Sequence, residues 1–97
     1  MIERHVTFTV IPGKEKDFET LFKGEYSVAM ARQSGFVSVT LLKEHEKEAV
    51  YQMAIRFQSL ETAAAWRDSP DHRALSPRIK TLYKESAVQV YEVIAQK

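Results

Sequence analysis

FVSVTLLK at Phe36–Lys43 and VYQMAIRF at Val50–Phe57 are the two runs whose reading decides how this chain folds. Both are dense in β-branched and aromatic residues, and the charged Glu44-His45-Glu46-Lys47-Glu48 between them has nothing apolar to bury. The pair reads as two antiparallel strands joined by a solvated loop. Toward the amino terminus, Glu15 to Gln33 spaces Phe18, Leu21, Phe22, Ala29 and Met30 at helical intervals, with acids at its start and Arg32 near its end. Ser34-Gly35 closes that helix, because glycine takes the left-handed conformation that a side chain resists. Pro12-Gly13-Lys14 forms a turn, and Ile2 to Ile11 alternates. Ile2, Val6, Phe8 and Val10 share one parity and Glu3, His5, Thr7 and Thr9 the other, the period of a half-buried strand.

Toward the carboxyl terminus, Ser59 caps a helix that has Glu61 in its first turn and runs through Ala63, Ala64, Ala65 and Trp66. Ser69-Pro70 and Ser76-Pro77 each read as a cap followed by proline at the first helical position, so Leu60 to Tyr83 is expected as several short helices. Ala87 to Ala95 is the last strand. The order strand, helix, strand, strand, helical segment, strand is the ferredoxin-like α+β pattern, βαββαβ, with a four-stranded antiparallel sheet. Residues 1–97 are expected as one domain.

Composition narrows the partners. The chain has 14 Lys and Arg against 13 Asp and Glu, a net charge of +1, with the two signs interleaved. It lacks the basic field on which nucleic-acid binding relies, so neither a nucleic acid nor an anionic membrane is expected. Cysteine is absent, which removes disulfides, thiol nucleophiles and thiolate-held metals. No apolar run approaches the roughly 20 residues of a membrane span, and Met1 to His5 lack the apolar stretch of a signal peptide. A cytoplasmic protein is expected.

The strands also speak to assembly. Apolar residues occur on both parities: Val37, Val39 and Leu41 against Phe36 and Leu42, Tyr51, Met53, Ile55 and Phe57 against Val50 and Ala54, and Val88, Val90 and Ile94 against Tyr91 and Val93. Helices of a ferredoxin-like unit cover only one face of the sheet, so a second copy is expected on the other. Isolated exposed apolar residues are the alternative.

A phosphate-cradling glycine loop, a Gly-x-Ser-x-Gly elbow and a His-Glu-x-x-His pair are all absent, which argues against nucleotide and hydrolase chemistry. His5, His45 and His72 show no ligand spacing, so no metal site is expected. Four residues depart from their surroundings. Arg4 falls on the apolar parity of the first strand, where a charge needs a partner or a ligand unless the strand end frays and its long stem reaches water. Trp66 follows three alanines that make room either for its own ring in the core or for something lying against it. His72 sits between the two Ser-Pro pairs, either as a group titrating near neutral pH or as a surface histidine. Tyr83, beside the apolar Ile79 and Leu82, either presents a phenol inward or packs.

The first strand with its Pro12-Gly13-Lys14 turn, Ser34-Gly35-Phe36, and above all Phe57-Gln58-Ser59-Leu60-Glu61 running into Ala65-Trp66-Arg67-Asp68-Ser69-Pro70-Asp71-His72-Arg73 resemble the small antibiotic biosynthesis monooxygenase proteins. The resemblance spans nearly the whole chain. It implies a homodimer whose two sheets meet back to back as a dimeric α/β barrel, with a pocket in each subunit between sheet and helices. It also implies a monooxygenase that works without metal, flavin or haem on a small phenol, quinol or polyketide-like aromatic. His72 is then the catalytic base or donor and Trp66 the catalytic wall, while Arg4 and Tyr83 bind substrate. The haem-degrading branch of the family has an Asn on strand one where this chain has Arg4, the Trp that matches Trp66, and an iron-ligating His where this chain has Ser76. His72 lies four residues earlier, about one helical turn, so a haem would need a shifted pocket. The alternatives are a non-enzymatic dimeric protein that holds a small apolar ligand, a haem-degrading-type oxygenase with an altered pocket, and acid–base chemistry on a small carbonyl compound.

Overall fold

The computed structural model describes residues 1–97. Strand β1 (Ile2–Val10) leads into α1 (Glu15–Leu21), a π-helical turn (Phe22–Tyr26) and α2 (Ser27–Ala31). The hairpin β2 (Phe36–Lys43) and β3 (Val50–Phe57) follows, then α3 (Leu60–Arg67), α4 (Pro70–Lys80) and β4 (Tyr83–Glu92). The strands form one antiparallel sheet in the order β2-β3-β1-β4, the ferredoxin-like arrangement expected.

Alternation along β3 turns Tyr51, Met53, Ile55 and Phe57 toward the helices and leaves the residues between them half-buried. The register brings Phe8 opposite Tyr51 and Val6 opposite Met53, so both central strands present one apolar face. Phe18 of α1 is fully buried there, with its ring centroid 5.2 Å from that of Phe8 and 5.1 Å from that of Tyr51. Each such aromatic contributes about 1.5–3 kcal/mol by leaving water.

The structure corrects three sequence expectations. The helix expected over Glu15–Gln33 contains a π turn and ends at Ala31. Gly24, a poor helix former, lies within that turn. Ser76-Pro77 does not restart a helix, because Pro77 lies inside α4. Leu75 and Ile79 are both buried on one face of α4, and that packing outweighs the hydrogen bond Pro77 cannot donate. Finally, Tyr83 opens β4 rather than ending a helix, and the strand runs to Glu92 instead of Ala95. Nearly all of β4 is exposed, so burial leaves no periodic trace in its first half. Backbone pairing with β1 makes it a strand, and that pairing stops where β1 does, at Ile2 opposite Glu92.

Val37, Leu42 and Ala54 line a groove with Glu3 and Arg56 on the helix-free face of the sheet. At the edge, Val88 and Val90 remain half exposed.

Candidate active site

Two pieces of local structure frame the site. The first is the middle of β1. Arg4 is paired with Ile55 on one side and Val90 on the other, so the strand is held there and does not fray. Its Nε is buried without a hydrogen-bond partner. Burial, and then the nearby Arg67, lower the Arg4 pKa, while Tyr26 acts in the opposite sense.

The second is the corner between α3 and α4. Ser59 and Thr62 cap α3 reciprocally, each side-chain oxygen accepting the other's backbone N–H at 3.1 Å. At its far end Ser69 both ends one helix and begins the next. Its hydroxyl donates to the Trp66 carbonyl at 2.7 Å and accepts the His72 N–H at 3.1 Å. One nearly buried hydroxyl therefore sets the spacing of Trp66 and His72. Their ring centroids lie 5.1 Å apart with planes at 86°. Tyr26, the last residue of the π turn, completes the cluster at 5.5 Å from Trp66 and 6.2 Å from His72.

These pieces enclose a cavity of about 270 Å³ between the sheet and the helices. Arg4, Trp66, His72 and Tyr83, the four residues singled out in the sequence, all line it. Val6, Phe8, Met53, Ile55 and Ile79 supply apolar wall. Trp66 is only 1% exposed, so its ring is packed as core and also lines the cavity. Tyr83 enters from β4, with its ring 5.0 Å from Phe8 in an edge-on arrangement. The larger concavity at residues 43–48 has no apolar lining and is a solvated loop surface.

Electrostatics set the protonation states. Burial lowers the His72 pKa, and Arg4, Arg67 and Lys80 lower it further against a smaller opposing effect of Asp68. His72 is therefore a neutral imidazole at pH 7, able to accept a proton. Burial pushes the Tyr26 phenol up to about 12, so it stays protonated and can donate a hydrogen bond.

Sequence reading did not single out Tyr26, Arg67 or Lys80, all of which line the cavity. Gly24 in mid-helix was the available sign of a π turn near Tyr26, and such turns recur at functional sites. Arg67 and Lys80 end their helices, where cations ordinarily just complement the dipole. Ser76 lines the cavity one turn after His72. His5 lies apart on the helix-free face, hydrogen-bonded to Glu3 at 2.5 Å. No three His, Asp or Glu side chains converge on a point where they would hold a metal ion. The lining departs from the haem site that the resemblance describes: Ser76 stands where the iron-ligating imidazole would, and His72, the one histidine of the lining, lies about one turn earlier.

Comparison with known proteins adds the family context. The antibiotic biosynthesis monooxygenase profile matches residues 1–78. Among solved structures, SnoaB, a cofactor-independent oxygenase from Streptomyces nogalater, aligns with a TM-score of 0.88 at 23% identity, over 98% of this chain and 94% of its own. A Bordetella bronchiseptica protein provisionally named an antibiotic biosynthesis monooxygenase aligns with a TM-score of 0.87 at 20% identity, over 97% of both chains. A conserved protein from Methanosarcina mazei aligns with a TM-score of 0.84 at 18% identity, over 93% of this chain and 89% of its own. At such identities these likenesses show a common fold. No curated protein sequence matches the chain.

Proposed function

This chain belongs to the antibiotic biosynthesis monooxygenase family, and from that premise we propose that it is a cofactor-independent monooxygenase acting on a small phenol or quinol. The observation that carries this reading is the convergence of an unpartnered Arg4, a neutral His72 and an aromatic wall containing Trp66 in one cavity. SnoaB, a cofactor-independent oxygenase, has the same fold.

In this reading His72 takes the proton of the substrate hydroxyl as general base, and Arg4 stabilises the phenolate that results. Trp66 and the aliphatic wall hold the ring and exclude water, which strengthens both interactions. Tyr26 and Tyr83 present phenol groups to the substrate oxygens. The electron-rich phenolate gives one electron to dioxygen, and the resulting radical pair combines at a ring carbon as a peroxide. Loss of water from that peroxide leaves a quinone. A phenol with a free para position and one dioxygen become one quinone and one water, so the substrate supplies every electron and no reductant is consumed.

Residues 1–97 act as one domain in this proposal, and the protein works in the cytoplasm as a homodimer. The exposed Val37 and Leu42 beside Ala54 on the helix-free face, with Tyr91 on the opposite edge strand, support a sheet-to-sheet contact with a second copy. No helix of the protein is long and apolar enough to cross a membrane.

The test is oxygen uptake by metal-free protein with a panel of phenols and hydroquinones, before and after exhaustive chelation. Uptake that survives chelation and falls at least about a hundredfold in His72→Ala, the ordinary contribution of a general base, supports the proposal. Ligand binding without oxygen uptake from any member of the panel overturns it in favour of a small-ligand-binding protein.

A further inference from the structure

We propose that the substrate carries a fixed carboxylate in addition to the hydroxyl that is oxidised, and that Arg4, Arg67 and Lys80 together recognise it. This rests on the aromatic-substrate reading above and narrows it to hydroxylated aromatic acids of one or two rings.

The charge balance of the cavity is the starting point. Three cations line it and no Asp or Glu does. They come from three elements, Arg4 from β1, Arg67 from the last residue of α3 and Lys80 from the last residue of α4. Arg67 and Lys80 are exposed and stand at the rim, whereas Arg4 is half-buried. Asp68 acts on His72 from nearby but does not line the cavity.

The other arginines of known pairing are neutralised within the protein. Arg32 meets Asp71, Arg56 meets Glu3, and Arg78 holds Glu25 through two hydrogen bonds. Arg4 makes no such pair, and its Nε is shut away from solvent without an acceptor. A buried polar group of this kind costs stability unless something satisfies it. Three positive charges with no carboxylate among the lining call for an anionic ligand.

A phenol alone is a poor answer, since an unperturbed phenol is neutral at pH 7 and brings no charge until the base has acted. A carboxylate is ionised before it arrives, and its two oxygens match the planar fork of a guanidinium. At about 270 Å³ the cavity accepts a compact ring system and not an extended one. The carboxylate also serves the chemistry: held by the cations, it fixes the ring so that the hydroxyl meets His72 with Arg4 close enough to stabilise the phenolate.

The experiment measures affinities of the full chain by titration calorimetry at low ionic strength, for 1-hydroxy-2-naphthoate and for 1-naphthol, which lacks only the carboxylate. The acid should bind at least about tenfold more tightly, an advantage that shrinks as salt is added. Arg4→Gln should remove most of that preference by weakening the acid far more than 1-naphthol. Arg67→Gln, at the exposed rim, should remove part of it, and it keeps the test decisive if Arg4→Gln does not fold. Equal affinities, or a preference untouched by both variants, overturn the inference. Oxygen uptake from hydroquinones with no preference for the acid overturns the carboxylate inference alone. A preference for the acid with no uptake from any hydroxynaphthoate overturns the oxygenase reading alone. Binding of neither ligand overturns both.

Discussion

Ser69→Ala tests whether one hydroxyl sets the geometry of the cavity. The Ser69 side chain accepts the His72 N–H as the cap of α4 and donates to the Trp66 carbonyl at the end of α3. Removing a helix cap of this type costs about 1 kcal/mol, and the second bond adds about 0.5–1 kcal/mol. The second figure sits at the low end because the Trp66 carbonyl also accepts the Ser69 backbone N–H at 3.1 Å. The sum, about 1.5–2 kcal/mol, lowers the melting temperature of a domain this small by roughly 6–15 °C. Thermal unfolding at fixed protein concentration reads that shift, and titration with 1-hydroxy-2-naphthoate reads the site. Because His72 and Trp66 are spaced through this hydroxyl, the Ala variant should also bind the ligand several-fold more weakly per folded molecule. Ser69→Thr, which keeps both bonds, should restore both properties. A melting temperature within about 2 °C of the parent would refute the assignment of the corner to Ser69. A large thermal shift with unchanged affinity would reduce Ser69 to a stability role.

Three further outcomes are expected. Sedimentation at micromolar concentration should give a single species of twice the 11.2 kDa chain mass, and a monodisperse species of single-chain mass would sink the sheet-to-sheet contact. The folded pKa of His72 lies below its ordinary 6.5, so between those two values the unfolded chain binds more protons and stability falls as pH drops through that window. Denaturant titrations from pH 7.5 downward should show this loss, and His72→Gln should flatten it; an unchanged slope in the variant would assign it to other groups. Gly35→Ala places a Cβ 2.5 Å from the Thr62 side chain at a φ of +79°, so left-handed strain and a displaced α3 cap together should cost at least about 2 kcal/mol. A variant of parental stability would show that Thr62 moves aside freely.

Much of the fold is legible along the chain because its signals are short-range. Alternation in β1 and β3, the solvated loop between β2 and β3, and the Ser59 and Ser69 caps each depend on neighbours within a few residues. The same is true of Trp66 and His72: one side of a helix–helix corner lies within seven consecutive residues, so its two rings declare themselves together. Pro77 and Tyr83 mislead because burial of Leu75 with Ile79 and pairing with β1 outweigh local preference there, and neither is visible within a local window.

The cavity itself depends on contacts far apart in sequence. Arg4 is readable as a charge on an apolar face, yet only the register of β1 between Ile55 and Val90 leaves its Nε buried without an acceptor. Tyr26 turns inward from a π turn, and Arg67 and Lys80 reach the same space from the ends of different helices. In sequence these three are an aromatic in a helix and two dipole-compensating cations. Their assembly around one imidazole is a property of how the helices lie across the sheet. Periodicity encodes which face of each element is apolar, whereas the positions of charges brought together from residues 4, 67 and 80 follow only from tertiary packing.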